Sequence, residues 1–234
     1  YIRKNGKLQP ASWDEAFAAI ADKVKATQGT RIAALAGDLA DCESMFALKG
    51  LMTALGSPHM DCRQDGALYD VSSRAGYLFN SRIAGIEEAD ASLLVGVNPR
   101  YEGTLVNTRI RKRWLRGGMR VGLIGQQVDL TYPYRHLGAG PEALQDLLNG
   151  KSEFATILKN AKRPMVIVGA GGLARDDGAA VQGAVRKLAE TYNMVRDDWN
   201  GFNVLHTAAS RVGGLTVGFL PHMNGFATAQ IMQA

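Results

Sequence analysis

Ala91-Ser92-Leu93-Leu94-Val95-Gly96-Val97-Asn98-Pro99 is a short apolar run held between Asp90 and an Asn-Pro turn signal. Its length and unbroken hydrophobicity suit a strand covered on both faces rather than a half-solvated one. Two more runs repeat the pattern. They are Met119-Arg120-Val121-Gly122-Leu123-Ile124-Gly125 and Pro164-Met165-Val166-Ile167-Val168-Gly169, and one more lies earlier at Arg31–Gly37. Between them the apolar spacing turns helical. A helix from Asp41 runs through Met45, Leu48, Leu51, Met52 and Leu55 to a Gly56 stop. Another runs from about Gly103 to Arg116 and ends at Gly117-Gly118, two helical stretches follow Pro141, and Asp176 caps a helix through Val181, Val185 and Leu188. Buried strands alternating with helices predict a doubly wound α/β fold, with a mostly parallel sheet and helices on both faces.

Outward from this centre, Ile2–Leu8 reads as a hairpin around Asn5-Gly6. Ser12 with Glu15 three residues on is a capping box, and Trp13, Phe17, Ile20 and Val24 follow at helical spacing. The 234 residues are 46% hydrophobic and 21% charged, which excludes disorder and a collagen-like chain. Only Cys42 and Cys62 are present, too few for a disulfide scaffold, an iron–sulfur cluster or a structural zinc site. Tyr1 at the start and Ala234 at the end carry no start or stop signal, which predicts a piece of a longer polypeptide. No secretory signal is visible, and the uncharged stretch 212–234 is too broken by Gly, Pro, His and Asn to suit a lipid span.

The net charge of +5 is local. Arg100, Arg109, Arg111, Lys112, Arg113, Arg116 and Arg120 face the single acid Glu102, so the remainder is close to neutral. On a helix Arg109, Arg113 and Arg116 share a face beside a Val106, Ile110, Trp114 stripe. No nucleic-acid reader is present, and the pattern predicts a solvated face or an ionic contact with a neighbouring subunit.

Three further segments offer chemistry. Gly169-Ala170-Gly171-Gly172-Leu173-Ala174 fits a dinucleotide fingerprint, with Glu190 near the offset of the acidic residue. Against it, Arg175–Gly178 intervene before the helix, and Asp176 and Asp177 would repel a phosphate there. A tight strand-to-helix turn is the plainer reading. Asn98 and Arg100, past a strand's carboxyl end, suit a base edge and a phosphate; the plainer reading is a Pro99 turn capped by Asn98. His59–Gly66 is dense in titratable groups, and Arg63 beside Cys62 would lower a thiol pKa, yet no nucleophile or zinc motif is present. His136, His206 and His222 show no ligand spacing.

Taken together, Ser12–Ala16 opening a helix, the turn at 96–99 and the strand ending in Gly169 resemble the molybdopterin oxidoreductase family, typified by formate dehydrogenase and DMSO reductase. Longer runs are similar to one branch, the large iron–sulfur subunits of respiratory complex I. These runs are Met60–Gly66, Leu94–Glu102 with Asn107–Lys112, Asp129–Gly138 and Asp198–Leu205. The resemblance implies a partial pterin-enzyme domain over 1–234, with possible lobes at 8–130 and 160–220. It also implies a parent chain relaying electrons from NADH to quinone, its iron–sulfur clusters held in an amino-terminal part outside this stretch. Implied partners are that cluster domain and other peripheral-arm subunits, with Arg109, Arg113 and Arg116 as the contact. The implied location is the cytoplasmic face of a bacterial inner membrane, or the mitochondrial matrix side.

Active members of the family supply one molybdenum ligand from a loop after the second strand, here Asp61–Gly66. Cys62 and Asp65 have suitable chemistry, so a catalytic pterin oxidoreductase is one alternative and an NAD module at Gly169–Ala174 a second. Gly66-Ala67 and Glu102 depart from the active pattern. The expectation is therefore a retained fold with no cofactor in this stretch, no catalytic or metal residue, and a vestigial cleft at Cys62, Asp65, Asn98 and Arg100.

Overall fold

The computed structural model describes residues 1–234, which divide into two units, Tyr1–Gln64 with Gly213–Ala234, and Asp65–Val212. These boundaries differ from the expected lobes at 8–130 and 160–220. The first unit is discontinuous, built from both ends of the chain, and no linear reading of composition reveals that.

The first unit opens with an antiparallel hairpin, β1 (Ile2–Lys4) and β2 (Lys7–Gln9). Asn5 and Gly6 both take positive φ, 50° and 78°, as a two-residue hairpin turn demands. α1 (Trp13–Lys25) follows with the expected capping box, in which Glu15 N–H donates to Ser12 Oγ and Ser12 N–H to Glu15 Oε2. Its apolar stripe meets no core, because α1 has no buried residue at all. β3 (Ala33–Leu35) and β4 (His59–Asp61) pair in parallel, joined by α2 (Cys42–Ala54), which Asp41 caps. Only Met45 and Met52 of α2 are buried, a narrower stripe than the five positions its periodicity marks out.

The second unit holds α3 (Arg82–Gly85), β5 (Ala91–Val95), α4 (Pro99–Glu102), α5 (Thr104–Leu115), β6 (Arg120–Ile124), β7 (Arg135–Gly138), α6 (Pro141–Leu148), α7 (Glu153–Asn160), β8 (Pro164–Val168), α8 (Ala170–Leu173) and α9 (Gly178–Thr191). A small antiparallel pair, β9 (Val195–Arg196) and β10 (Trp199–Asn200), precedes β11 (Phe202–Val204). The chain then returns through α10 (Arg211–Val217) to the first unit and ends with α11 (Thr228–Ile231).

Five strands of this unit form one sheet in the order β11-β8-β5-β6-β7, all parallel. The chain enters at the middle strand, works outward to β7, then crosses back to β8. Doubly wound sheets reverse in this way, and the reversal between β5 and β8 is their switch point. Period-two alternation fills both faces. Leu93, Val95, Val166 and Val168 pack with Leu144, Leu147, Phe154, Leu158, Val185 and Leu188 of α6, α7 and α9. On the opposite face Leu94, Leu123, Met165 and Ile167 pack with Val106 and Ile110 of α5. The expected fold class is the observed one.

One helix start differs from the sequence reading. α9 begins at Gly178, with Asp177 rather than Asp176 at its cap and no side-chain cap bond. Asp177 is drawn instead into a fork with Arg175, which donates through Nε at 2.6 Å and Nη2 at 2.9 Å. No helix is long and apolar enough to cross a membrane.

Candidate functional site

Ligands of doubly wound sheets lie in the crevice beyond the carboxyl ends of the strands at the switch point. Here that place is bounded by Gly96 after β5 and Gly169 after β8. Gly96 has φ +54°, and a Cβ added to it would lie 2.3 Å from the backbone nitrogen of Gly172 and 2.6 Å from its Cα. Gly171 is as tight from the other side, its added Cβ falling 2.8 Å from the Gly96 carbonyl oxygen. The single turn α8 is thus seated directly on the end of β5. Such closeness is available only where two glycine backbones meet. The cavity left beside them is about 70 Å³, lined by Gly125, Pro141, Leu144 and Arg175 among others. That is room for a few waters, not a dinucleotide.

Most of the polar groups there are already engaged. Asn98 Oδ1 accepts from Arg100 N–H at 3.2 Å, the turn-capping role, and Arg100 donates to the carboxylate and carbonyl of Asp129. Asp129 is held below the ordinary carboxylate range, first by the Thr131 N–H and then by Arg100. Glu102 Oε1 accepts from Asn98 N–H at 2.6 Å, while its Oε2 is buried with no hydrogen-bond partner. An added Cβ on Gly169 would lie 3.1 Å from that Oε2, so an acid stands where a diphosphate needs donors.

Asp65 lies elsewhere in the same unit, at its first residue. Its carboxylate receives Arg211 Nη1 at 3.0 and 3.1 Å, and Arg211 is 1% exposed. Arg211 also donates to the Tyr69 hydroxyl at 3.0 Å and lies over that ring, 5.6 Å from its centroid. His206 packs beside this group, its ring 4.9 Å from that of Tyr69. Its Nε2 lies 2.6 Å from the Tyr77 carbonyl, an acceptor only, so Nε2 carries the proton. Burial pushes the His206 pKa down, and the Arg211 charge lowers it further. Cys62 belongs to the first unit, where its side chain is 1% exposed. A Cβ added to Gly214 would lie 2.7 Å from Cys62 Sγ and 3.2 Å from Met45 Sδ, so the thiol is packed into the interior against α10.

The family group, a pterin carrying phosphate, is therefore poorly matched by these residues. Asn98 caps its own turn, Arg100 is paired with Asp129 and Asp65 with Arg211, Cys62 is packed away, and Glu102 stands at the switch point. The nucleotide fingerprint fails for the same reason. Its glycines form the turn that fills the crevice, and the long helix starts four residues beyond it.

The basic helix also differs from its sequence reading. Glu87 gathers Arg109 at 2.5 Å, Lys112 at 3.0 Å and Arg116 at 2.6 Å. Arg113 turns away and donates to the Gly117 carbonyl. Lys112, then Arg109 and Arg116, hold the Glu87 carboxyl below its usual range. Glu87 lies 22 residues before Arg109, and no spacing rule connects them. Another buried link missed in the sequence is Tyr132, whose hydroxyl donates to Asn107 Oδ1 at 2.8 Å while Asn107 Nδ2 donates to the Leu130 carbonyl. Burial pushes the Tyr132 phenol pKa up.

Curated proteins of similar sequence give an independent comparison. The chain is 47% identical over 219 residues to the NADH-quinone oxidoreductase subunit designated G in Rickettsia felis, covering 94% of this chain and 33% of that protein. The protein of the same description from Rickettsia prowazekii is 46% identical over 94% of this chain and 32% of its own length. That from Rickettsia conorii is 46% identical over 94% and 33%. The chain thus spans about a third of the length of the curated relatives it matches. The molybdopterin oxidoreductase family model matches residues 1–234, the whole of it, and the chain belongs to that family.

Proposed function

We propose that this chain is the pterin-fold region of the corresponding large subunit of an NADH:quinone oxidoreductase. It serves there as a scaffold and binds no pterin of its own. The relatives at 46–47% identity support the first half of the reading. The seating of Gly171-Gly172 on Gly96, with Glu102 beside Gly169, supports the second. A fold retained without its site keeps shape as its working property. With two cysteines, one packed in the interior, this region suits a part of the polypeptide that leaves the iron–sulfur clusters to residues outside 1–234.

The partners on this reading are the cluster-bearing part of the same polypeptide and neighbouring subunits of a membrane-associated complex, on its cytoplasmic or matrix side. Of Arg109, Arg113 and Arg116, only Arg113 is not committed to Glu87, so a contact with an acidic neighbour centres on Arg113, with the other two supporting it from the Glu87 cluster.

The test is to purify the complex from the source strain carrying Arg113→Glu or a deletion of 65–212. The deletion should abolish NADH:quinone activity with loss of the assembled particle, and Arg113→Glu should weaken assembly at low salt. A particle that assembles and works without residues 65–212 would overturn the scaffold reading. So would stoichiometric molybdenum and a fluorescent pterin in the wild-type polypeptide.

A further inference from the structure

Glu190, the acid that the fingerprint offered for a dinucleotide, does not stand at the switch point. It lies beside Phe202, which opens β11, whereas the crevice lies beyond the strands' carboxyl ends. There it lines a cavity of about 190 Å³ bounded by α9, the β9–β10 pair, Phe202 and the loop 70–76, all within the second unit. That is room for one ring with a small substituent, since about 150 Å³ already holds benzene. The cavity is built into the fold. Gln182 of its lining is 4% exposed; its Oε1 accepts from Asp70 N–H at 2.6 Å and its Nε2 donates to the Gly76 carbonyl at 2.6 Å. Both bonds tie the loop to α9. Gln182, Arg186 and Glu190 recur at i, i+4 and i+8, so one side of α9 lines the cavity while Val185 and Leu188 enter the core.

The charge of the lining selects what the cavity takes. Arg186 stands one turn before Glu190, a spacing at which the two side chains can pair. It donates instead to the Asp70 carboxylate, which Ser72 also holds through its N–H at 2.9 Å. Glu190 is left with no ion pair and no donor to its carboxylate. It sits in the last turn of α9, which carries no basic residue, so the negative end of the helix opposes its charge as well. One uncompensated negative charge therefore faces a space walled by Ala189, Val195 and Phe202. An anion is repelled there. A bare metal ion lacks ligands, because Glu190 is the single uncommitted acid of the lining.

We infer that this cavity binds a free small organic cation, an amidine, guanidine or primary amine on an apolar body about one ring in size. Glu190 accepts its N–H donors, and Phe202 and Val195 cover its body. The hydrogen bonds are charge-assisted, and a forked cation meets both carboxylate oxygens at once. The inference draws on the second unit alone and is independent of the scaffold reading.

The probes are benzamidine, benzamide and benzoate, which share one shape and differ in charge. Each is titrated into the 234-residue chain and followed by amide chemical shifts. Benzamidine should saturate with a Kd of about 1 mM or tighter, ordinary for about nine non-hydrogen atoms, and should shift Gln182, Glu190 and Val195. Benzamide should bind about tenfold more weakly, the worth of one hydrogen-bonded charge, and benzoate should not bind. Glu190→Gln should weaken benzamidine about tenfold and leave benzamide unchanged. The same variant should melt no lower than the wild type, because it removes an unpaired carboxylate from the negative end of a helix. Val195→Arg, at a half-exposed position of the lining, sets a tethered guanidinium in the cavity and should abolish benzamidine binding. Four results would each overturn the inference: no saturable binding of benzamidine, equal affinity for benzamidine and benzamide, a benzamidine affinity indifferent to Glu190→Gln, or a lowered melting temperature in Glu190→Gln, which would mean that the carboxylate already has its partner within the fold.

Discussion

Replacing Gly96 by alanine probes whether the switch point is closed. Gly96 has φ +54°, where an L-residue costs about 1–2 kcal/mol. Its new methyl would stand 2.3 Å from Gly172 N and 2.6 Å from Gly172 Cα, both backbone atoms that cannot swing aside. Relieving that overlap means shifting α8 against β5, and overpacking of this kind costs about 1–3 kcal/mol more. The expected loss is therefore about 2–5 kcal/mol. Gly172→Ala is the control. Its added Cβ meets Val168 and Val181 only at 3.5 Å, ordinary contact distance, so it should change stability by less than about 0.5 kcal/mol. Urea unfolding followed by tryptophan fluorescence suits the measurement, because Trp114 and Trp199 both lie in the second unit. With a urea m-value of about 2 kcal/mol/M, Gly96→Ala should lower the midpoint by about 1–2.5 M. Equal midpoints for the two variants would mean that α8 is not seated on β5. The crevice would then be open, and the argument against a bound nucleotide or pterin would fail with it.

Asp65→Ala should cost about 2–4 kcal/mol, somewhat below a fully buried pair because Asp65 keeps 28% of its side chain exposed; Asp65→Ala with Arg211→Met should recover at least half of that in thermal unfolding. His206 supplies a pH dependence of definite sign. Its folded pKa lies below the unfolded value of 6.5, so stability is full above about pH 6.5 and falls as the pH drops beneath it; His206→Gln should flatten the melting temperature between about pH 7 and 5. Glu87→Gln leaves Arg109, Lys112 and Arg116 facing one another. Its melting temperature should drop in about 20 mM NaCl and recover in about 500 mM, and a salt-independent drop would count against simple charge repulsion. A thiol reagent should titrate exposed Cys42 at once and Cys62 only on unfolding, so two fast thiols in the native chain would contradict the packing of Cys62.

The parallel sheet was legible because its information is local. Each of β5, β6 and β8 is a short apolar run closed by turn residues, and a strand buried on both faces needs no more specification than that. Asn98 was legible as a cap for the same reason, since its partner is only two residues away. The missed features are those whose partners are distant in sequence. Arg211 reaches Asp65 across 146 residues, and Glu87 gathers three cations from a helix that begins seventeen positions later. The Gly169–Leu173 pattern was ambiguous for a further reason. The same glycines that let a phosphate approach a backbone also let another backbone approach, and only Gly96 on the neighbouring strand decides between the two. The amphipathic pattern of α1 is legible too, but periodicity tells which side of a helix is apolar and not what covers it.

The split composition of the first unit sets an order of events at the ribosome. Residues 65–212 emerge as one block and can collapse at once, since their sheet draws on nothing outside the block. The opening 64 residues must wait for 213–234, which bring Phe226 N–H to His59 Nδ1, Thr228 N–H to Asp61 Oδ2 and the Val217 carbonyl to Lys49. At about 5–20 residues per second, synthesis of the intervening block holds them unfinished for roughly 7–30 s. For that interval the nascent amino-terminal segment is the part of the protein most in need of a chaperone.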